Sequence, residues 1–232
     1  MAAETARQNA GRNPGSGVLS RAAAFIYWHL IVGALMCITE LPVVALLFFL
    51  GRSASNAPLV PLCLILAAPV LSAGLFAMRA RAGAEDLAPM RFFFRGFRLG
   101  WADSLRAWTP AMIVLAAVTA GIVALQPAGL PVAYAGILIG IGVIATLWGI
   151  NCLTIATVFS FRWRDTARLA VFYLGRRWQV TLGTLALLIV AVALVLVTTE
   201  AVLWLFQIVW VSFLAVITQP LVTIVKERFT AE

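Results

Sequence analysis

Residues 22–50 read AAAFIYWHLIVGALMCITELPVVALLFFL and decide the fold, because no lysine, arginine or aspartate interrupts them. A helix needs about 20 apolar residues to cross the hydrocarbon core of a bilayer. Runs of comparable length follow over residues 58–78, 108–125, 130–159, 180–198 and 201–225. The sequence therefore predicts an all-α polytopic transmembrane helical bundle of about six spans in three hairpins, joined by amphipathic cytoplasmic connector helices.

Composition excludes a water-soluble protein. Hydrophobic residues make up 63% of the chain and charged residues 11%, and the mean hydropathy is +1.02, whereas soluble domains carry about 25% charged residues. The net charge of +8 comes from short basic blocks between the apolar runs. Such blocks orient a membrane protein and contact anionic lipid headgroups. We therefore expect the lipid bilayer as a partner and no nucleic acid.

Arginine distribution predicts the topology. The connectors 79–106 and 162–177 and both chain ends are basic, whereas Arg52 is the exception on the opposite side. Because lysine and arginine concentrate in cytoplasmic loops, the pattern predicts an N-in, C-in protein of the cytoplasmic membrane of a bacterium. Residues 1–20 are polar and predict a disordered cytoplasmic tail, and residues 21–232 form a single transmembrane domain.

Both long connectors have helical periodicity. In the first, aromatic residues recur at spacings of three and four, and arginines occupy another face. We expect this helix to lie in the headgroup boundary or against the bundle, with these anchor residues: Phe94, Phe97, Trp101, Arg95 and Arg98. The second connector repeats the spacing at Ala167, Val171, Leu174 and Trp178.

Glu40 lies well inside the first apolar run, where a charged side chain costs at least about 2.5–3.5 kcal/mol. The carboxyl either contacts a proton or substrate in a cavity, or is protonated or paired to fix helix packing. Asn151, Thr154 and Thr157 form a polar ridge on the fourth run, which lines a pathway or hydrogen-bonds between helices. With Gln207 of the sixth run, the candidate intramembrane polar site comprises Glu40, Asn151, Thr154 and Gln207.

Other motifs favour packing rather than chemistry. The fourth run contains Gly136, Gly140, Gly142 and Gly149, of which Gly136 and Gly140 have the small-xxx-small spacing that lets helices approach closely, and we expect tight packing along this helix. The three cysteines show no CxxC spacing, and the chain has one histidine. Nucleotide-binding, nucleophile-elbow and paired-histidine motifs are not found in the sequence. We therefore expect no catalytic residues, metal site or cofactor, and not an enzyme.

Three stretches resemble the YesL-like family of bacterial membrane proteins, which is filed as a domain of unknown function. They are Leu41-Pro42, residues 69–79 (PVLSAGLFAMR) and the phenylalanine-rich residues 91–108 (RFFFRGFRLGWADSLRAW). The resemblance implies a polytopic membrane protein, often associated with carbohydrate uptake, and supplies no catalytic residues. It favours an accessory or regulatory role beside a membrane transporter, with a transporter or a second copy of the chain as partner. The alternative is a small permease that uses Glu40 and the Asn151 ridge.

Overall fold

The computed structural model describes residues 18–51, 53–81, 88–125, 127–129 and 131–229, and the regular elements within these ranges are all helical. Five helices there are long and apolar enough to cross a membrane, and two shorter helices bent by 44° form a sixth candidate span. The predicted all-α polytopic bundle is confirmed. Residues 1–17, most of the predicted disordered tail, lie outside the described residues, and the first helix begins at Val18.

The spans follow the predicted order. The first three helical segments are α1 (Val18–Leu50), α2 (Leu59–Cys63) and α3 (Ala68–Ala80), of which α2 and α3 form one span through the 3₁₀ turn Leu64–Ala67. They are followed by α4 (Pro89–Leu125), α5 (Ala133–Val158), α6 (Trp163–Arg176) and α7 (Trp178–Val197). The short helix α8 (Glu200–Leu205) then precedes the sixth candidate span, which comprises α9 (Gln207–Ile217) and α10 (Gln219–Phe229).

The end of α1 shows why these boundaries fall where they do. Gly51 follows the helix with a φ of +68°, a left-handed conformation that ends helices and that glycine adopts without a steric penalty. The Asn56 side-chain amide donates to the Leu50 carbonyl, which would otherwise lack an intrahelical partner. The apolar run therefore ends as a closed turn rather than continuing into the next span.

The third span differs from the sequence prediction. The first connector is helical as predicted, but it is not a separate element, because α4 runs unbroken for 37 residues from Pro89 to Leu125. Glycines allow its first part to lie along α3: a Cβ at Gly96 would lie 2.8 Å from the Phe76 Cβ, and one at Gly100 would lie 3.1 Å from the Ser72 Oγ. The second connector is the separate helix α6, as predicted.

Buried residues form three clusters that hold the spans together. The first joins Trp28, Val32 and Met36 of α1 to α3, Phe93 and Val211. The second joins Cys152 and Ile155 of α5 to α6 and α10, and the third joins Trp108, Ala111 and Met112 of α4 to α3 and Leu153. Helix α4 therefore contributes to every cluster and organises the bundle, through Phe93, Ala107 and Trp108 in turn.

Two of the four glycines predicted to pack closely on α5 meet another helix, and two do not. A Cβ at Gly136 or Gly140 would meet no atom within 4 Å, and both positions are exposed. The close approach is instead at Gly149, where a Cβ would lie 2.6 Å from the Ala111 Cβ, and at Gly142, which faces Leu115 and Val118 of α4. The small-xxx-small spacing of Gly136 and Gly140 does not correspond to a contact, because spacing does not show which helix face meets a neighbour.

The sixth span is bent just before Pro220. Helix α9 ends at Ile217 and α10 begins at Gln219 after a bend of 44°. Proline cannot donate to the carbonyl four residues earlier, so the carbonyl of Val216 loses its usual partner. A further interruption at Phe206 separates α8 from α9.

Candidate functional site

The structure brings together two of the four predicted polar residues, Glu40 and Gln207. Their side chains are 6% and 7% exposed, and the Gln207 amide lies within hydrogen-bonding reach of the Glu40 carboxyl. Gln207 is the first residue of α9, directly after the interruption at Phe206. Its Nε2 also lies 3.8 Å from the Cys37 Sγ. An acid–amide contact therefore links α1 to the broken sixth span.

The position of Glu40 along α1 explains why its carboxyl group needs a hydrogen-bond partner. Glu40 lies about 15 Å along the helix axis from Leu50 at the end of α1, and the hydrocarbon core of a bilayer is about 30 Å thick. The distance from Glu40 to the end of α1 is therefore about half the thickness of the hydrocarbon core. A buried amide satisfies part of the hydrogen-bonding capacity of a carboxyl group that water cannot reach.

The other two predicted residues belong to a second polar cluster. Asn151 and Thr154 are buried on one face of α5. One turn further along, the Thr157 Oγ1 lies 3.1 Å from the Ser72 Oγ of α3, and the Thr154 carbonyl lies 3.5 Å from the Arg79 guanidinium. These bonds join α5 to α3. Hydrogen bonding between helices was one of the two alternatives for the polar ridge of the fourth run.

Arg79 extends the second cluster to the sixth span. Its Nη2 donates to the Thr218 Oγ1 over 2.7 Å, and the Thr218 hydroxyl donates to the Leu214 carbonyl over 2.6 Å. Thr218 stands at the bend between α9 and α10. A charged donor thus stabilises a threonine at the point where the backbone ladder is interrupted.

The two clusters lie at different levels of the bundle. Gln207 and Thr218 belong to the same broken span, and the residues between them extend about 16 Å along a helix axis. Glu40 and Gln207 form the cluster nearer the Leu50 end of α1, whereas Asn151, Thr154 and Arg79 lie closer to the arginine-rich end. The four predicted residues are therefore all buried, but they are divided between two places.

Sequence reasoning missed Arg79 as a site residue, since it was counted with the orienting arginines of the connector. The available signal was its position in the last turn of an apolar run, directly after Met78. A guanidinium there must find hydrogen-bond acceptors or reach water. The acceptors come from α5 and from the sixth span, and sequence spacing does not reveal such partners.

The predicted interfacial anchor residues divide between two surfaces. Phe94 and Trp101 are 51% and 55% exposed, and Arg95 and Arg98 are also exposed. Phe97 instead packs, half-buried, against the Trp28 cluster. The outer face of α4 thus combines aromatic and arginine side chains, which is the composition typical of the membrane–water boundary.

These features define a multi-pass membrane protein whose intramembrane polar groups link neighbouring helices. Comparison with protein-family models, with curated proteins and with solved structures finds no match for this chain. The resemblance to the YesL-like family stays a prediction.

Proposed function

We propose that this protein is an accessory or regulatory membrane protein that acts beside a transport system, with carbohydrate uptake as the process that the YesL-like resemblance favours. The observation that supports this proposal is the division of the buried polar residues into two clusters. A substrate route needs polar groups along a continuous path. Here one pair of polar side chains in each cluster joins neighbouring helices: Glu40 contacts Gln207, and Ser72 contacts Thr157. The Thr154 hydroxyl is buried without a partner among the described residues.

Our proposed location is the cytoplasmic membrane of a bacterium, with the N- and C-termini inside. The support is the placement of arginines at the helix ends next to the two connectors: Arg79 is in the last turn of α3, Arg162 directly precedes α6 and Arg176 ends it. By the positive-inside rule, this arginine-rich end faces the cytoplasm. The exposed aromatic and arginine side chains of α4 then lie at the cytoplasmic headgroups.

A small permease is the second candidate, and a specific observation favours it. Gln207 follows a helix interruption and contacts a buried acid on a helix that contains Pro42. Discontinuous helices near the bilayer midplane form the substrate and ion sites of many secondary transporters. In this alternative, Glu40 carries a proton or binds a cationic substrate.

Purification of the tagged full-length chain from native membranes in a mild detergent tests the first candidate. An accessory protein is expected to bring a transporter with it in a fixed ratio, and deletion of the gene is expected to lower uptake of one sugar. Stoichiometric recovery of the chain alone, together with transport by the purified chain in liposomes, contradicts the accessory role and supports the permease.

Two substitutions at Glu40 separate the candidates further. Glu40→Gln keeps the size and most of the hydrogen-bonding capacity of the side chain, so an accessory protein should keep its stability and its partner. A proton-coupled permease with the same substitution should fold and lose transport. Glu40→Leu removes the contact with Gln207 and leaves a buried amide unpaired, so we expect a loss of about 1–3 kcal/mol in either case. Unchanged stability and uptake in both variants would show that Glu40 has no special role.

A further inference from the structure

A cavity of about 90 Å³ lies at the arginine-rich end of the bundle, apart from both polar clusters described above. It is enclosed by α4, α5 and the segment that leads into the first turn of α6. The side chains that matter for its chemistry are Asp103, Arg106, Cys152, Phe159, Arg162 and Thr166. This volume holds several water molecules, and hence a compact polar group of a few atoms.

Charge in the cavity favours an anion. Arg106 and Arg162 contribute two guanidinium groups, and Asp103 contributes one carboxylate, which lies 3.4 Å from the Arg106 Nη1. That ion pair is solvent-exposed, so it neutralises Arg106 weakly. Asp165 is in the first turn of α6, but its side chain is exposed and does not line the cavity.

The N-terminus of α6 adds a second electrostatic contribution that favours an anion in the cavity. Helix α6 has 14 residues, and its N-cap residue Arg162 makes no side-chain capping bond. The first N–H groups of a helix have no intrahelical acceptor, and the helix dipole makes this end partly positive. Helix N-termini of this kind bind phosphate groups in many proteins. Here Arg162, Trp163 and Thr166 of this turn all line the cavity.

Thr166 supplies an independent indication of a ligand. Its side chain is 3% exposed and lines the cavity. No hydrogen bond of its hydroxyl is found among the described residues, and the hydroxyl is not one of the fully buried polar atoms without a partner, so it is accessible from the cavity. A bound group with a hydrogen-bond acceptor can therefore take the place of water at this hydroxyl.

We infer that this cavity binds the phosphate of an anionic ligand, either a phospholipid headgroup or free inorganic phosphate. Arg106 and Arg162 provide charge-assisted hydrogen bonds to phosphate oxygens, and Thr166 and the α6 N-terminus complete the site. The aromatic residues around the cavity favour a lipid. Trp163 is half-exposed at the cavity, and Phe159 stacks on Phe161. Aromatic side chains concentrate at the level of the lipid headgroups. Basic pockets between membrane helices bind phospholipid headgroups.

Native mass spectrometry of the full-length protein, purified in detergent and titrated with dioleoylphosphatidylglycerol, tests this inference. Dioleoylphosphatidylcholine serves as the lipid without net charge. We expect Arg162→Gln to weaken phosphatidylglycerol binding about tenfold, as expected for the loss of one charge-assisted hydrogen bond, and Arg162→Lys to weaken it less. Thr166→Val keeps the side-chain volume and should weaken binding several-fold. Asp103→Asn should strengthen phosphatidylglycerol binding, because it removes the carboxylate that lines the cavity.

The matched control is Arg164→Gln, which removes the same charge from an exposed position of α6 that does not line the cavity. Binding should remain within about twofold of the unmodified protein, and the thermal midpoints of all variants should agree. Added inorganic phosphate distinguishes the two sources: displacement of lipid by millimolar phosphate indicates a free-anion site, and no displacement indicates a headgroup site. An equal loss in Arg164→Gln and Arg162→Gln, or no loss in Arg162→Gln and Thr166→Val, would overturn the inference.

Discussion

Substitution of Gly149 by alanine probes a close contact between α4 and α5. The added methyl group would lie 2.6 Å from the Ala111 Cβ and 3.4 Å from two atoms of the Trp108 ring. The Ala111 Cβ is fixed to the α4 backbone, so it cannot rotate away. Carbon atoms prefer a separation of about 3.5–4.0 Å, and α4 and α5 must therefore move apart by about 1 Å at this point.

The expected magnitude combines two opposing terms. Overpacking of this kind costs about 1–3 kcal/mol, and a gap of about 1 Å along the interface also forfeits part of the dispersion energy of the neighbouring contacts. Alanine is a better helix former than glycine by about 1 kcal/mol. We expect Gly149→Ala to lose about 1–2 kcal/mol of stability overall, so the overpacking term exceeds the propensity term.

Gly140→Ala is the matched control, because the same change on the same helix meets no atom within 4 Å. It should keep or raise stability, since only the propensity term acts. Thermal unfolding in detergent, followed by circular dichroism, compares the two variants. For a chain of this size about 1 kcal/mol corresponds to about 2–4 °C, so Gly149→Ala should melt about 2–8 °C below the unmodified protein. A Gly149→Ala midpoint at or above that of Gly140→Ala would refute the packing of α4 on α5.

Thr218→Val should destabilise the protein by about 1–3 kcal/mol, because it leaves the Arg79 guanidinium without its nearest acceptor. Thr223→Val is the control in the same melting assay, since that hydroxyl is exposed and bonds only to its own helix; equal midpoints would contradict a stabilising role for Arg79. For the orientation, single cysteines at Ser55 and Arg164, both exposed positions, are introduced into a cysteine-free background. A thiol reagent that cannot cross the membrane should label Ser55→Cys in intact cells and Arg164→Cys only after permeabilisation, and the reverse pattern would invert the topology.

The sequence by itself determined the number, order and approximate limits of the spans. The reason is that the bilayer interior offers no water to backbone groups, so a long apolar run must form a helix that satisfies its own hydrogen bonds. The bend at Thr218 also follows from the sequence, because proline has no backbone N–H group and Pro220 therefore interrupts the helix locally. The absence of water in the bilayer interior also explains why Glu40 required a partner. The sequence included Gln207 among the candidate residues but did not show that it is the partner of Glu40.

The sequence could not determine which helix faces meet. In lipid, apolar surfaces gain little by facing each other rather than the acyl chains, and close packing and hydrogen bonds select the contacts instead. Hydrophobic periodicity therefore placed Phe94, Phe97 and Trp101 on one stripe for the headgroup boundary or the bundle, whereas the structure shows that the buried face of α4 carries Phe93 and Gly96. In the same way, spacing indicated Gly140, whereas contact with Ala111 selects Gly149. Only the tertiary structure decided these faces, and with them the place of Arg79 and the cavity beside Arg162, because each depends on the shapes of helices distant in the chain.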